Sequence, residues 1–128
     1  MKNLLIIDDE LQIRRIIRIQ LHKTDYNIHE AENKDLVFKI LEDIPIDVII
    51  CDIKMKDSNG FVILKEIKIK YPDIPVIMLT GFIDKKLSEK AKNMGCFDFM
   101  TKPVRREKLL QTIEKAMEYR TKMEEGDG

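Results

Sequence analysis

Two hydrophobic periods alternate along this chain. The unbroken apolar runs Leu4-Leu5-Ile6-Ile7, Val48-Ile49-Ile50-Cys51 and Val76-Ile77-Met78-Leu79 read as strands covered on both faces. Tyr26 to Ala31 is a weaker strand and Cys96 to Met100 a short one. Between them, apolar residues recur at helical spacing. The first helix carries Ile13, Ile16, Ile17 and Leu21, and the second carries Leu36 or Val37, Ile40 and Leu41 behind a cap at Asn33. The third carries Ile63, Leu64 and Ile67, the fourth Ile83, Leu87, Ala91 and Met94, and the last Leu109, Leu110, Ile113, Ala116 and Met117. Pro45, Pro72, Pro75 and the run Asp57-Ser58-Asn59-Gly60 supply turns, and Gly95 suits the left-handed end of the fourth helix.

Strands alternating with helices throughout predict a single doubly wound α/β domain. Its parallel sheet should carry helices on both faces, joined by right-handed crossovers. Two strand orders compete. The dinucleotide-binding order lacks its G-x-G-x-x-G fingerprint here, which leaves the flavodoxin-like order 2-1-3-4-5. The domain is expected over residues 1–123, with 124–128 a disordered tail, the start of a linker or a remnant of cloning.

Composition narrows the function classes. With 128 residues, 44% of them apolar, the chain can build one core. The 23 basic residues cancel the 23 acidic ones, which disfavours a basic nucleic-acid binder and an acidic disordered chain alike. No secretory leader and no membrane-length apolar run is expected, and Cys51 and Cys96 lack metal or redox spacing, so the expected setting is the cytoplasm. Both cysteines, and Met78, Met94 and Met117, read as core packing.

In a parallel sheet the ligand site lies beyond the carboxyl ends of the strands. Asp8 and Asp9, followed by Glu10, end the first strand, Asp52 ends the third, Thr80 ends the fourth, and Lys102 follows the fifth. With strands 1 and 3 adjacent, three carboxylates meet and repel one another. A hard cation such as Mg²⁺ compensates them, and Lys102 adds a second positive charge. Such a site suits a group with several anionic oxygens, and a central carboxylate can attack phosphorus. His22 and His29 lie away from the strand ends and read as incidental. Two rival classes fit less well. A flavodoxin-like binding module for flavin or another phosphorylated ligand would face an acidic loop, and a D-x-D phosphatase would need an aspartate where Lys54 stands.

The order Asp8-Asp9, Asp52, Thr80, Lys102-Pro103 resembles the CheY-like response-regulator receiver domain of two-component signalling, over residues 3 to about 122. The resemblance implies that Asp52 accepts a phosphoryl group from a histidine kinase or a histidine phosphotransfer protein. It implies Mg²⁺, for which Mn²⁺ substitutes, held by Asp9, Asp52 and the backbone carbonyl of Lys54, with Asp8 acting through water. Thr80 and Lys102 would contact phosphoryl oxygens, the Lys102–Pro103 bond would be cis, and Phe99 would be the switch aromatic. The output would be a changed surface on helix 4, strand 5 and helix 5, including Lys86, Lys90, Arg105, Arg106, Lys108 and Lys115. That surface would serve a downstream effector, an attached output domain or a phosphorylation-dependent homodimer. Arg14, Arg15 and Arg18 form a basic stripe that either helps dock the histidine-bearing partner or is an ordinary solvated face. The expected role is signalling with self-catalysed phosphorylation and slow dephosphorylation, without turnover catalysis, nucleic-acid binding or membrane contact. A receiver used only for protein interaction, without phosphorylation, remains the alternative.

Three positions depart from the family's usual pattern. Lys56 stands where proline is common in D-x-x-M-P-x-x-x-G, although Met55 and Gly60 are in place. Phe99 stands where some members have tyrosine, and Val104 where an aromatic is frequent. Lys54 and Phe82 occupy positions that influence the attacking water, and neither favours it, so slow loss of the phosphate is expected.

Overall fold

Strand β1 (Asn3–Ile7) and helix α1 (Leu11–Gln20) open the chain, followed by β2 (Asn27–Ala31), α2 (Lys34–Asp43) and β3 (Val48–Asp52). Then come α3 (Gly60–Lys70), β4 (Val76–Thr80), α4 (Lys85–Asn93), β5 (Asp98–Thr101) and α5 (Arg106–Gly126). The computed structural model describes residues 2–81 and 84–126. All strand pairs are parallel, in the order β2-β1-β3-β4-β5. This is the order expected from the missing glycine fingerprint.

The period of two along each strand divides the core into two layers. Leu5, Ile7, Ile49, Cys51, Val76 and Met78 face α2, α3 and α4, where Val37, Leu41, Ile63, Leu64, Ile67 and Ala91 are buried. Leu4, Ile6, Val48, Ile50, Ile77 and Leu79 face the other way, onto Ile17 of α1 and Leu109, Ile113, Ala116 and Met117 of α5. A central strand buried on both faces must be apolar at every position, which is why β3 and β4 read as unbroken runs. Of the methionines read as packing, Met78 and Met117 are buried and Met94 is half-buried against the first layer.

Several local expectations change. Asn33 caps α2 as expected, its side chain accepting the Leu36 N–H at 2.9 Å. Helix α4 is capped by Asp84, which the pattern did not single out; its carboxylate accepts the Leu87 N–H at 2.8 Å. Gly95 takes φ +87°, the left-handed conformation that a side chain would oppose. Ile16, expected on the buried face of α1, is half exposed. β5 starts at Asp98, not Cys96. α5 runs on through Glu124 and Glu125 to Gly126. Ile83 lies outside the described residues. Among the described residues, no helix is long and apolar enough to cross a membrane.

Candidate functional site

Ladder hydrogen bonds carry the strand ends into the site. The Asp8 N–H donates to the Ala31 carbonyl at 3.1 Å, the Ile53 N–H to Leu79 at 3.0 Å, and the Lys102 N–H to Thr80 at 2.7 Å. Asp8, Asp52 and Lys102 are therefore held at the same carboxyl end of the sheet. Asp8, Asp52 and Thr80 are buried, at 1%, 3% and 2% exposure.

The Lys102 side chain crosses the end of β4 and places Nζ 3.3 Å from Asp52 Oδ1 and 3.5 Å from Asp8 Oδ2. The other Asp8 oxygen accepts the Glu10 N–H at 2.9 Å. The electrostatics follow from burial. Burial pushes the Asp52 carboxyl up to about 6, with the Asp8 charge adding to the rise and Lys102 opposing it. Burial also raises Asp8, against the pull of the Glu10 N–H and Lys102. Burial alone lowers Lys102, but the two carboxylates outweigh it and hold its ammonium above the ordinary range.

Asp9 stands at the rim, half-buried, and its Oδ2 accepts the Lys56 backbone N–H at 2.6 Å. One carboxylate oxygen from each of Asp8, Asp9 and Glu10 lies within 4.8 Å of the others. Glu10, exposed, thus brings a third carboxylate to the acidic turn; its place directly after the acidic pair was the available signal. The loop after β3 is closed by a bridge between Lys54 and Asn59. Gly60 is required at the loop's end, because a Cβ there would lie 2.1 Å from the Asp52 carbonyl oxygen.

The remaining candidates divide. Phe99 is half-buried on β5, packed against the α2–α4 side of the core. It lines an open groove of about 400 Å³ with Pro103, Val104 and Lys108. The Lys102–Pro103 bond is cis, as expected. Phe82 lies outside the described residues.

The basic stripe on α1 is partly turned inward. Arg14 Nε donates to Glu30 at 2.8 Å and its Nη1 to the Asp8 carbonyl at 2.6 Å, while Arg18 Nε donates to Glu30 at 2.6 Å. Arg15 is exposed. His29, on the edge strand β2, lies 3.1 Å from the Asn3 side chain, and His22 is exposed.

Comparison with known proteins agrees with this fold. The profile of the response regulator receiver domain matches residues 4–114. A putative response regulator, NtrX-like, from Rickettsia bellii is 36% identical over 118 residues, covering 91% of this chain and 25% of that protein. The transcriptional regulatory protein ZraR of Salmonella typhimurium is 30% identical over 118 residues, covering 91% of this chain and 26% of that protein. The chain therefore spans about a quarter of the length of these curated relatives. A solved response regulator receiver domain from Clostridium thermocellum superposes with a TM-score of 0.88 at 31% identity, covering 96% of this chain and 99% of that one.

Proposed function

This chain belongs to the CheY-like family of response regulator receiver domains, and we propose that it is a Mg²⁺-dependent phosphoacceptor with Asp52 as the acceptor. The observation that carries this reading is the Lys102 ammonium standing between the buried carboxylates of Asp52 and Asp8. A buried carboxylate with a lysine beside it is arranged to receive a group rich in anionic oxygens.

An Asp52 oxygen attacks the phosphorus of a phosphohistidine presented by a histidine kinase or phosphotransfer protein. A P–O bond forms, the P–N bond breaks, and its electron pair returns to the imidazole nitrogen. Lys102 then pairs with an equatorial oxygen, and the Thr80 hydroxyl donates to another. Oxygen donors of this kind suit a hard divalent cation, and the convergence of Asp8, Asp9 and Glu10 fits one. Asp9, Asp52 and the Lys54 carbonyl would hold Mg²⁺ or Mn²⁺, with Asp8 acting through water. When bound, the ion supplies charge neutralisation at the phosphoryl oxygens.

Drawing Thr80 toward the phosphate opens space that Phe99 fills. This biases two packings of α4, β5 and α5 and alters the face offered to a partner, a second copy or an attached output domain. The test is covalent labelling by a small phosphodonor, located by mass spectrometry. Labelling should require Mg²⁺, fall on Asp52 and vanish in Asp52→Asn. Undiminished labelling of Asp52→Asn would refute the assignment.

A further inference from the structure

The hydrogen bond from the Lys56 amide to Asp9 Oδ2, at 2.6 Å, joins two loops that are far apart in sequence. The donor sits on a braced platform. The Lys54–Asn59 bridge closes the loop, the Gly60 N–H donates to the Ile53 carbonyl at 2.8 Å, and the Asn59 side chain accepts the Phe61 N–H at 2.8 Å. These contacts anchor both ends of the loop whose tip carries the Lys56 N–H.

The acceptor, by contrast, would turn without that bond. The terminal torsion of an aspartate is broad, so an unrestrained carboxylate rotates about its last bond. Anchoring one oxygen sets the plane of the group, and a carboxylate retains acceptor sites for a second partner. An Asp9 oxygen already lies within 4.8 Å of oxygens from Asp8 and Glu10.

We infer that the Lys56 backbone N–H is a positioning donor, which holds the Asp9 carboxylate in the orientation that receives a divalent cation. This deepens the phosphoacceptor reading and rests on it. Groups that orient a metal ligand from behind typically govern affinity by roughly 10- to 100-fold. The Lys56 side chain has no part in the effect. Any residue except proline supplies the amide, so the departure at position 56 gives this chain a donor that proline would withhold. The order of the loop after β3 and cation affinity are then linked, each strengthening the other.

The experiment is calorimetric titration of MgCl₂ into the wild type, Lys56→Ala and Lys56→Pro, with thermal unfolding to check the fold of each. Lys56→Ala, which keeps the N–H, should bind within about threefold of the wild type, and Lys56→Pro should bind roughly 10- to 100-fold more weakly. Hydrogen exchange on the wild type provides a second arm that needs no variant: the Lys56 amide should stay protected, or gain protection, as Mg²⁺ is added. Equal affinity of Lys56→Pro, or an amide that exchanges faster with Mg²⁺, would overturn the inference while leaving the phosphoacceptor reading intact. A wild type that takes up no Mg²⁺ would overturn both.

Discussion

The Lys102 ammonium lies 3.3 Å from Asp52 although β4 stands between their strands. This contact opposes the rise that burial and Asp8 impose on the Asp52 carboxyl. Lys102→Met keeps the apolar stem and removes the charge. The Asp52 titration should then move above its value of about 6, as read by carboxyl-carbon NMR in metal-free protein. An unmoved titration would mean that the ammonium does not act on Asp52 in solution.

Burial of Asp52 also makes stability depend on pH in a definite direction. Its carboxyl rises from 3.8 to about 6, so the folded state binds the extra proton. The contribution is whole below about pH 4 and is lost as pH climbs through about 6. Asp52→Asn removes the buried charge. In chelator-treated protein the variant should be the more stable by roughly 2–3 kcal/mol at pH 7. Urea unfolding should show that gap closing between pH 6 and pH 4.

Gly60 has no room for a methyl group, since its Cβ would meet the Asp52 carbonyl at 2.1 Å and the Ile53 Cα at 2.8 Å. Both neighbours are backbone, so relief must shift either the start of α3 or the end of β3 that carries Asp52, the proposed acceptor. Gly60→Ala should cost about 1–3 kcal/mol or more in denaturant unfolding. It should also slow labelling of Asp52 by a small phosphodonor. Labelling at the wild-type rate would show that Asp52 tolerates the shift.

Arg14 ties β2 to the acidic turn, donating to Glu30 at 2.8 Å and to the Asp8 carbonyl at 2.6 Å. Burial works against the charged Glu30, but the hydrogen bonds from Arg18 and Arg14 outweigh it and hold the carboxyl below its ordinary range. The resulting stability is present above the ordinary carboxylate value and lost as pH falls through the lowered one. Glu30→Gln should therefore cost about 1–2 kcal/mol at pH 7, and the cost should fade as pH falls below the ordinary carboxylate range. A double-mutant cycle with Arg14→Gln should show coupling between the two positions.

Much of this protein is legible one element at a time. The runs at Val48–Cys51 and Val76–Leu79 are apolar throughout because both faces of those strands are covered, and the residues that end the strands then point to the site. The missing glycine fingerprint selects the strand order, and that order brings Asp8, Asp52 and Lys102 to one edge of the sheet. Hydrophobic periodicity, however, reports burial along a single segment. It carries no information about which backbone groups meet across segments. The Lys56 amide on Asp9, the Arg14 fork between Glu30 and the Asp8 carbonyl, and the crowding of Gly60 against Asp52 all arise from the paths of loops over the finished sheet. Ile16 shows the same limit from the other side. Its spacing matches the buried face of α1, yet it is half exposed on a groove that it lines with Ile13, Pro103 and Val104. Local sequence determined the elements and the chemistry at their ends; only the packed chain decided how each carboxylate is held.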